Sequence, residues 1–373
     1  MRVYLDWNAT TPPFPAVTVA MSQAASDAWG NPASVHTHGR RARARVESLR
    51  EALAELAGCD PRDVVLASGG TEANNLAVRS AFARSEERTV LVTSRLEHPS
   101  ITRVAEALER ERRAKVHWLR VSPDGTVDLD ELRRVLAEGS TRLVTAQAVN
   151  HETGVLQPVA EMSALAREHG AALHVDAVQA WGRVKHATDL GDTRSLAGHK
   201  IRGPKGIGAL IVRPGAHVEP LLRGGAQERG VRPGTVDPIA CAGLAVAAVH
   251  ALSGPSRHEA VLFLRDELEA KLLGLRPGVM VNGTASRAPH VSNLFFPGWT
   301  GPELVAAMDL EGVSISSGSA CSAGTSEASS VLTAMLGEAR SSRSVRLSLG
   351  EDTTREEILF AAAAFERVLA RSA

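Results

Sequence analysis

From about residue 60 to residue 215 the chain alternates short apolar runs with amphipathic segments, and no other feature restricts its fold as strongly. The runs are Val64-Val65-Leu66, Val90-Leu91-Val92, Leu143-Val144-Thr145, Leu173-His174-Val175 and Ala209-Leu210-Ile211-Val212, each bounded by polar residues or glycine. Largely apolar along their length, they predict strands covered on both faces in a mostly parallel sheet. Val159 to His169 has helical period and stops at Gly170, where a left-handed residue can end a helix. The expected fold class is therefore α/β. In open sheets of this kind ligands sit at the carboxyl ends of the strands, so the residues just after each run are the ones to inspect.

At 373 residues the chain is too long for one small core, and two domains are expected. The pattern changes after Pro255. Val261, Leu264, Leu268 and Leu272 give a helix with one apolar face, a Ser/Gly/Ala-rich stretch runs from Ser314 to Ser330, and a final helix starts at about Thr354. This predicts a second, smaller domain. Lys+Arg and Asp+Glu both number 42, so net charge gives no reason to expect nucleic acid or an anionic membrane as partner. The basic run Arg40 to Arg45 reads as the solvated start of a helix. Met1 to Thr10 has no apolar core of signal-peptide length, and Ile239 to Leu252 is shorter than the roughly 20 residues that span a bilayer, so a cytoplasmic protein is expected. Cys59, Cys241 and Cys321 lie far apart without metal-ligand spacing, and the 13 histidines form no HExxH-type cluster, so neither a disulfide framework nor a metal site is expected.

Four segments carry candidate chemistry. Ser195 to Lys200 precedes the Gly/Pro-rich Gly203-Pro204-Lys205-Gly206, which places Lys200 on a short loop. Such a lysine is either an ordinary surface residue or an amine held for Schiff-base chemistry. Asp176 follows the Leu173–Val175 run, where an acid either caps the next helix or pairs with a pyridine nitrogen. Ser68 to Asn75 follows a strand and opens a helix with small residues and a hydroxyl, which makes either a plain capped start or a phosphate site. It lacks the lysine of a Walker motif. Glu97-His98-Pro99-Ser100 ends another strand, so His98 is either structural or a ring able to stack and move protons near neutral pH.

Taken together, these segments resemble one family. Tyr4 to Pro12, Gly30 to His36, Ser68 to Asn75, Asn150 to Gly154, His174 to Gln179, Gly198 to Gly206, Glu228 to Thr235 and Ser317 to Cys321 are similar, in collinear order over nearly the whole chain, to class V aminotransferase-type enzymes of fold type I, and within them to the cysteine desulfurases. The resemblance implies a pyridoxal 5'-phosphate fold of type I. A large domain over 15–252 would carry a seven-stranded-type, mostly parallel sheet. Residues 1–14 and 253–373 would form a smaller α+β domain bearing the Cys321 loop.

The resemblance also implies roles. Lys200 would hold the cofactor covalently and move the substrate Cα proton, Asp176 would hold the pyridine nitrogen, Gln179 the phenolic oxygen, and His98 would stack on the ring. Gly70, Thr71 and His199 would bind the phosphate, with Thr235 reaching in from the other subunit of a homodimer. Arg346 would clamp the substrate carboxylate, a task suited to a planar bidentate donor. Cys321, set among small residues, would take sulfur from L-cysteine as a persulfide, release L-alanine, and pass the sulfur to an iron–sulfur scaffold or thiolation enzyme. Asn31 is expected near the site, without a role.

Two positions depart from the family pattern. His151 stands where a second Asn is usual and either reaches the cofactor or packs against the strand end. Ala197 stands where a phosphate-binding Ser is common. Two rival readings remain open at this level: a selenocysteine lyase or another class V lyase or transaminase, and a sulfur-relay partner with little turnover of its own.

Overall fold

The computed structural model describes residues 1–84, 89–185, 190–317 and 328–371. Among them are twelve strands: β1 Val3–Tyr4, β2 Val64–Ala67, β3 Val90–Ser94, β4 Lys115–Leu119, β5 Thr141–Gln147, β6 Ala172–Asp176, β7 Thr193–Ala197, β8 Gly208–Val212, β9 Met280–Val281, β10 Val291–Phe295, β11 Val313–Ser314 and β12 Ser344–Ser348. The helices are α1 Pro15–Asp27, α2 Thr37–Ala57, α3 Gly70–Ala81, α4 Pro99–Arg110, α5 Leu129–Ala137, α6 Val159–Glu168, α7 Pro238–Ala251, α8 Gly254–Leu275, α9 Gly301–Leu310, α10 Ser330–Leu336, α11 Glu338–Ser341 and α12 Arg355–Ala370.

Seven strands form one sheet in the order β2-β8-β7-β6-β5-β3-β4. Every neighbouring pair from β7 to β4 is parallel, and only β8 runs against the others. All five apolar runs fall in this sheet. The expected α/β class and mostly parallel sheet are what the chain adopts. Two of its strands lack such a run. β4 is an edge strand with only two of its five residues buried, so it needs little apolar character. β7 carries the polar Thr193, Arg194 and Ser195, whose partners lie elsewhere in the fold. Lys200 therefore does not sit on a free loop. It closes a short 3-10 turn, Gly198–Lys200, directly at the end of β7.

One core fills the space between the sheet and α2, α6 and α7, with Val64, Val92, Val144, Leu173 and Leu196 meeting Leu49, Leu53, Met162 and Leu244. On the opposite face Leu91 and Leu143 pack under Val78, Ile101, Val104 and Leu108 of α3 and α4. Burying such side chains stabilises the layers by about 1.5–3 kcal/mol each. A separate core joins Leu268, Leu272, Met308, Val345, Leu347 and Phe365.

Val3 and Leu5 belong to that second core, because β1 pairs in parallel with β11 at the far end of the chain. The strap then crosses Gly350, where a Cβ would lie 1.9 Å from the Trp7 ring. Only glycine lets the Trp7 indole lie against the backbone there. This path carries residues 8–10 from the second core to the carboxyl edge of the large sheet.

Candidate active site

A cleft of about 510 Å³ opens where β5, β6 and β7 end, and Asp176, Lys200, His98, His151, Gly70, Thr71, Gln179, His199 and Arg346 all line it. Asp176 is the last residue of β6. Its carboxylate accepts hydrogen bonds from the Asn74 amide at 2.8 Å, the Val178 N–H at 3.0 Å and the Ser195 hydroxyl at 3.3 Å. Asn74 is itself fixed, because its amide also donates to Ser100 and its Oδ1 lies 3.0 Å from His174 Nε2. An amide oxygen only accepts, so His174 carries its proton on Nε2. Burial holds His174 down to about 4, so its ring stays neutral at physiological pH.

Lys200 Nζ donates to the carbonyl oxygens of Asn8 at 2.5 Å and Ala9 at 2.7 Å. Its turn is fastened from behind by Arg183, which donates to the Lys200 carbonyl at 2.9 Å, to Asn8 Oδ1 at 2.8 Å, and to Gln179 Oε1. Burial presses the Arg183 guanidinium down to about 9. Gln179 spends both ends of its amide in this lattice, since its Nε2 donates to the Asn8 carbonyl at 3.0 Å.

α3 begins at the cleft wall. Its first helical bond runs from Ala73 N–H to the Gly69 carbonyl, so the N–H groups of Gly70, Thr71 and Glu72 lie outside its ladder. A Cβ on Gly70 would come within 2.7 Å of Val178 and 3.5 Å of the Ala197 methyl. Glycine thus brings the helix start against β6 and β7, and Ala197 lies beside it. His199 lines the same end, with Nδ1 3.1 Å from Thr10 Oγ1. Burial first and the neighbouring Lys200 next hold it down to about 4.

His98 caps α4, its Nδ1 accepting from the Ser100 N–H at 3.1 Å. That lone pair is therefore in use and the neutral ring carries its proton on Nε2. His151 meets His98 edge to face, with ring centroids 5.3 Å apart. Burial and then His98, Arg346 and Lys200 hold His151 well below its ordinary value. Its Nδ1 lies 3.4 Å from Gln147 Oε1 and its Nε2 3.6 Å from Glu152 Oε1. Glu152 in turn accepts from Ser329, the residue capping α10.

One expectation, the place of Asn31, looks different once placed. Thr235 and Asn31 do not line the cleft; both border a separate surface depression with Arg50 and Glu228. Asn31 is therefore not at the site within one chain, and Thr235 reaches a cleft only if it is another subunit's. Cys321 lies outside the described residues, whereas Cys59 is half-buried and Cys241 buried. Burial raises both of these thiols, Cys241 to about 12, which suits packing rather than attack.

Asn8, Asn74, Gln147 and Arg183 are positioning residues to which the sequence assigned no role. Asn8 and Asn74 stood inside the quoted segments without a distinguishing signal. Gln147 and Arg183 had none, since their partners lie far off in sequence.

The fold and the cleft together define an α/β enzyme with its reactive groups at the carboxyl edge of a mostly parallel sheet. The chain matches the aminotransferase class-V family model over residues 3–360 and belongs to that family. It is 40% identical over 364 residues to a cysteine desulfurase of Trichormus azollae, covering 95% of this chain and 90% of that protein. Among solved structures, a NifS-like protein superposes with a TM-score of 0.92 at 29% identity, covering all of both chains. SspA in complex with cysteine superposes with a TM-score of 0.81 at 30% identity, over 95% of this chain and all of that one.

Proposed function

We propose that the protein is a homodimeric cysteine desulfurase that holds pyridoxal 5'-phosphate in this cleft. L-cysteine would give L-alanine while its sulfur atom passes to the Cys321 thiol, which becomes a persulfide and serves an iron–sulfur scaffold or thiolation acceptor. The observation that carries the reading is the convergence of an amine, Lys200, a strand-end carboxylate, Asp176, and a free helix start, Gly70–Thr71, on one cleft.

That donor set fits the cofactor. Lys200 would hold its aldehyde carbon, Asp176 its pyridine nitrogen, Gln179 and His151 its phenolic oxygen, and the α3 amides with Thr71 and His199 its phosphate. The bound cofactor supplies an electron sink for charge developing at the substrate Cα.

This chain's own residues do the rest. Arg346 orients the substrate through its carboxylate. Lys200 Nζ, once off the Asn8 and Ala9 carbonyls, takes the Cα proton. Asn74 and Ser195 keep Asp176 from turning away from the ring, and His98 covers the open face. His98 and His151 are both held neutral, and His98, its Nδ1 engaged by the Ser100 N–H, offers the cleft an Nε2–H donor. Thr235 of a second subunit would complete the phosphate end.

Lys200→Ala should lose both alanine release and the cofactor label that borohydride fixes to the wild-type chain. Cys321→Ser should bind cysteine with a colour change yet release almost no alanine, and mass spectrometry of the wild type should find the added sulfur on the Cys321 peptide. A borohydride-stable label on Lys200→Ala, or full turnover by Cys321→Ser, overturns the assignments.

A further inference from the structure

Arg346 is 2% exposed, and its guanidinium is unevenly used. One Nη donates to the His151 carbonyl at 2.9 Å and the other to Asp6 Oδ1 at 2.6 Å, while Nε is buried without a hydrogen-bond partner. Asp6 is held in place by backbone. It follows β1 and forms a parallel bridge with Ser348, two residues beyond Arg346 on β12. Its side chain keeps partial contact with solvent while that of Arg346 has almost none. A buried cation is thus neutralised by a carboxylate of the chain itself, and it retains one donor that this carboxylate does not satisfy.

We propose that Asp6 is a specificity-determining residue: it stands on Arg346 in the place of a substrate α-carboxylate and sets how strongly the cleft takes one. The inference rests on Arg346 being the carboxylate clamp of the proposed function. Because Nε, though unfilled, is buried, an arriving carboxylate that pairs through it also shares the adjoining Nη with Asp6 Oδ1. A guanidinium grips a carboxylate best through two parallel N–H groups. Full engagement therefore makes Asp6 share or yield its bond, and two carboxylates at one cation repel. Asp6 keeps Arg346 neutralised in the empty cleft and weakens its hold on the filled one. It has this effect only on ligands that carry a carboxylate.

Asp6→Asn tests this, because the amide oxygen still accepts from Arg346 while the charge is gone. The KM for L-cysteine should fall by roughly five- to tenfold, the scale of one relieved like-charge contact near a partly buried cation, with kcat little altered. The dissociation constant of L-alanine, read as quenching of the protein's tryptophan fluorescence, should fall in parallel. That of ethylamine, which lacks the carboxylate, should stay put.

If Asp6 merely aligns Arg346, loosening it raises the KM and the L-alanine constant, and the proposal is wrong. Equal shifts for L-alanine and ethylamine overturn it as well. Should Asp6→Asn not fold, Asp6→Ser, with a smaller uncharged acceptor, takes the same measurements. The alanine and ethylamine constants need no turnover. A wild type that releases no alanine from cysteine therefore defeats the proposed function and leaves this comparison readable.

Discussion

Just past β3, Glu97 is 2% exposed and sits close enough to Asp176 to feel its charge. Its Oε1 accepts from the Gln147 N–H at 2.9 Å, while its Oε2 is buried without a partner. Burial first, and the charge of Asp176 second, push its carboxyl up to about 8. The fold therefore keeps a proton that the unfolded chain releases in the usual carboxylate range. Stability from this group is fully present below that range and is lost as pH rises toward 8. At about 1.4 kcal/mol per unit of displacement, the loss amounts to ~3 kcal/mol or more. Glu97→Gln, neutral at every pH, should flatten the denaturant-derived stability between pH 5 and pH 8, and a slope parallel to the wild type's would remove Glu97 from this account. The motif around His98 was legible as sequence, but the adjacent glutamate was not, because its meaning depends on Asp176, which reaches it through the pairing of β5 with β6.

Several elements are locked together by a single carboxylate. Glu351, between β12 and α12, accepts from Arg202 at 2.7 Å and from Arg257 at 2.6 Å, with His250 Nε2 also at 2.6 Å. These residues come from the turn after Lys200, from α8 and from α7, so one buried group ties the lysine's support to both cores. Desolvation works against the ionised form, but the three partners outweigh it and hold Glu351 down to about 2. Removing one partner from a buried ionic cluster strands the others. Glu351→Gln should cost about 3 kcal/mol in chemical denaturation, discounted for the partial exposure of Arg257, and a loss under about 1 kcal/mol would show that the cluster is solvated. Sequence patterning located α6 within a residue at each end and placed α12 at its Thr354 cap, because caps and helical period are local signals. It passed over β7, since the buried Arg194 and Ser195 look like loop residues until Trp181 and Asp176 are beside them.

For the molecule as a whole, Trp29 is 63% exposed and Val35 82%, flanking the segment that holds Asn31 and borders the depression with Thr235. Exposed large apolar side chains on either side of that segment suit a self-complementary two-fold contact. Light scattering should return twice the chain mass, with Thr235→Ala weakening cofactor retention in dialysis; a fully active monomer would refute the shared site. By itself the sequence determined the five apolar strands, the ends of several helices and the kinds of group available for chemistry. These follow from residue period, backbone preference and side-chain chemistry, which act over a few residues. Tertiary structure alone decided which groups meet. Arg346 reaches Asp6 across 340 positions, Gln179 reaches Asn8 across 171 and Asn74 reaches Asp176 across 102. Contacts at that range are fixed by strand order and by the path of the N-terminal strap, and no local pattern encodes either.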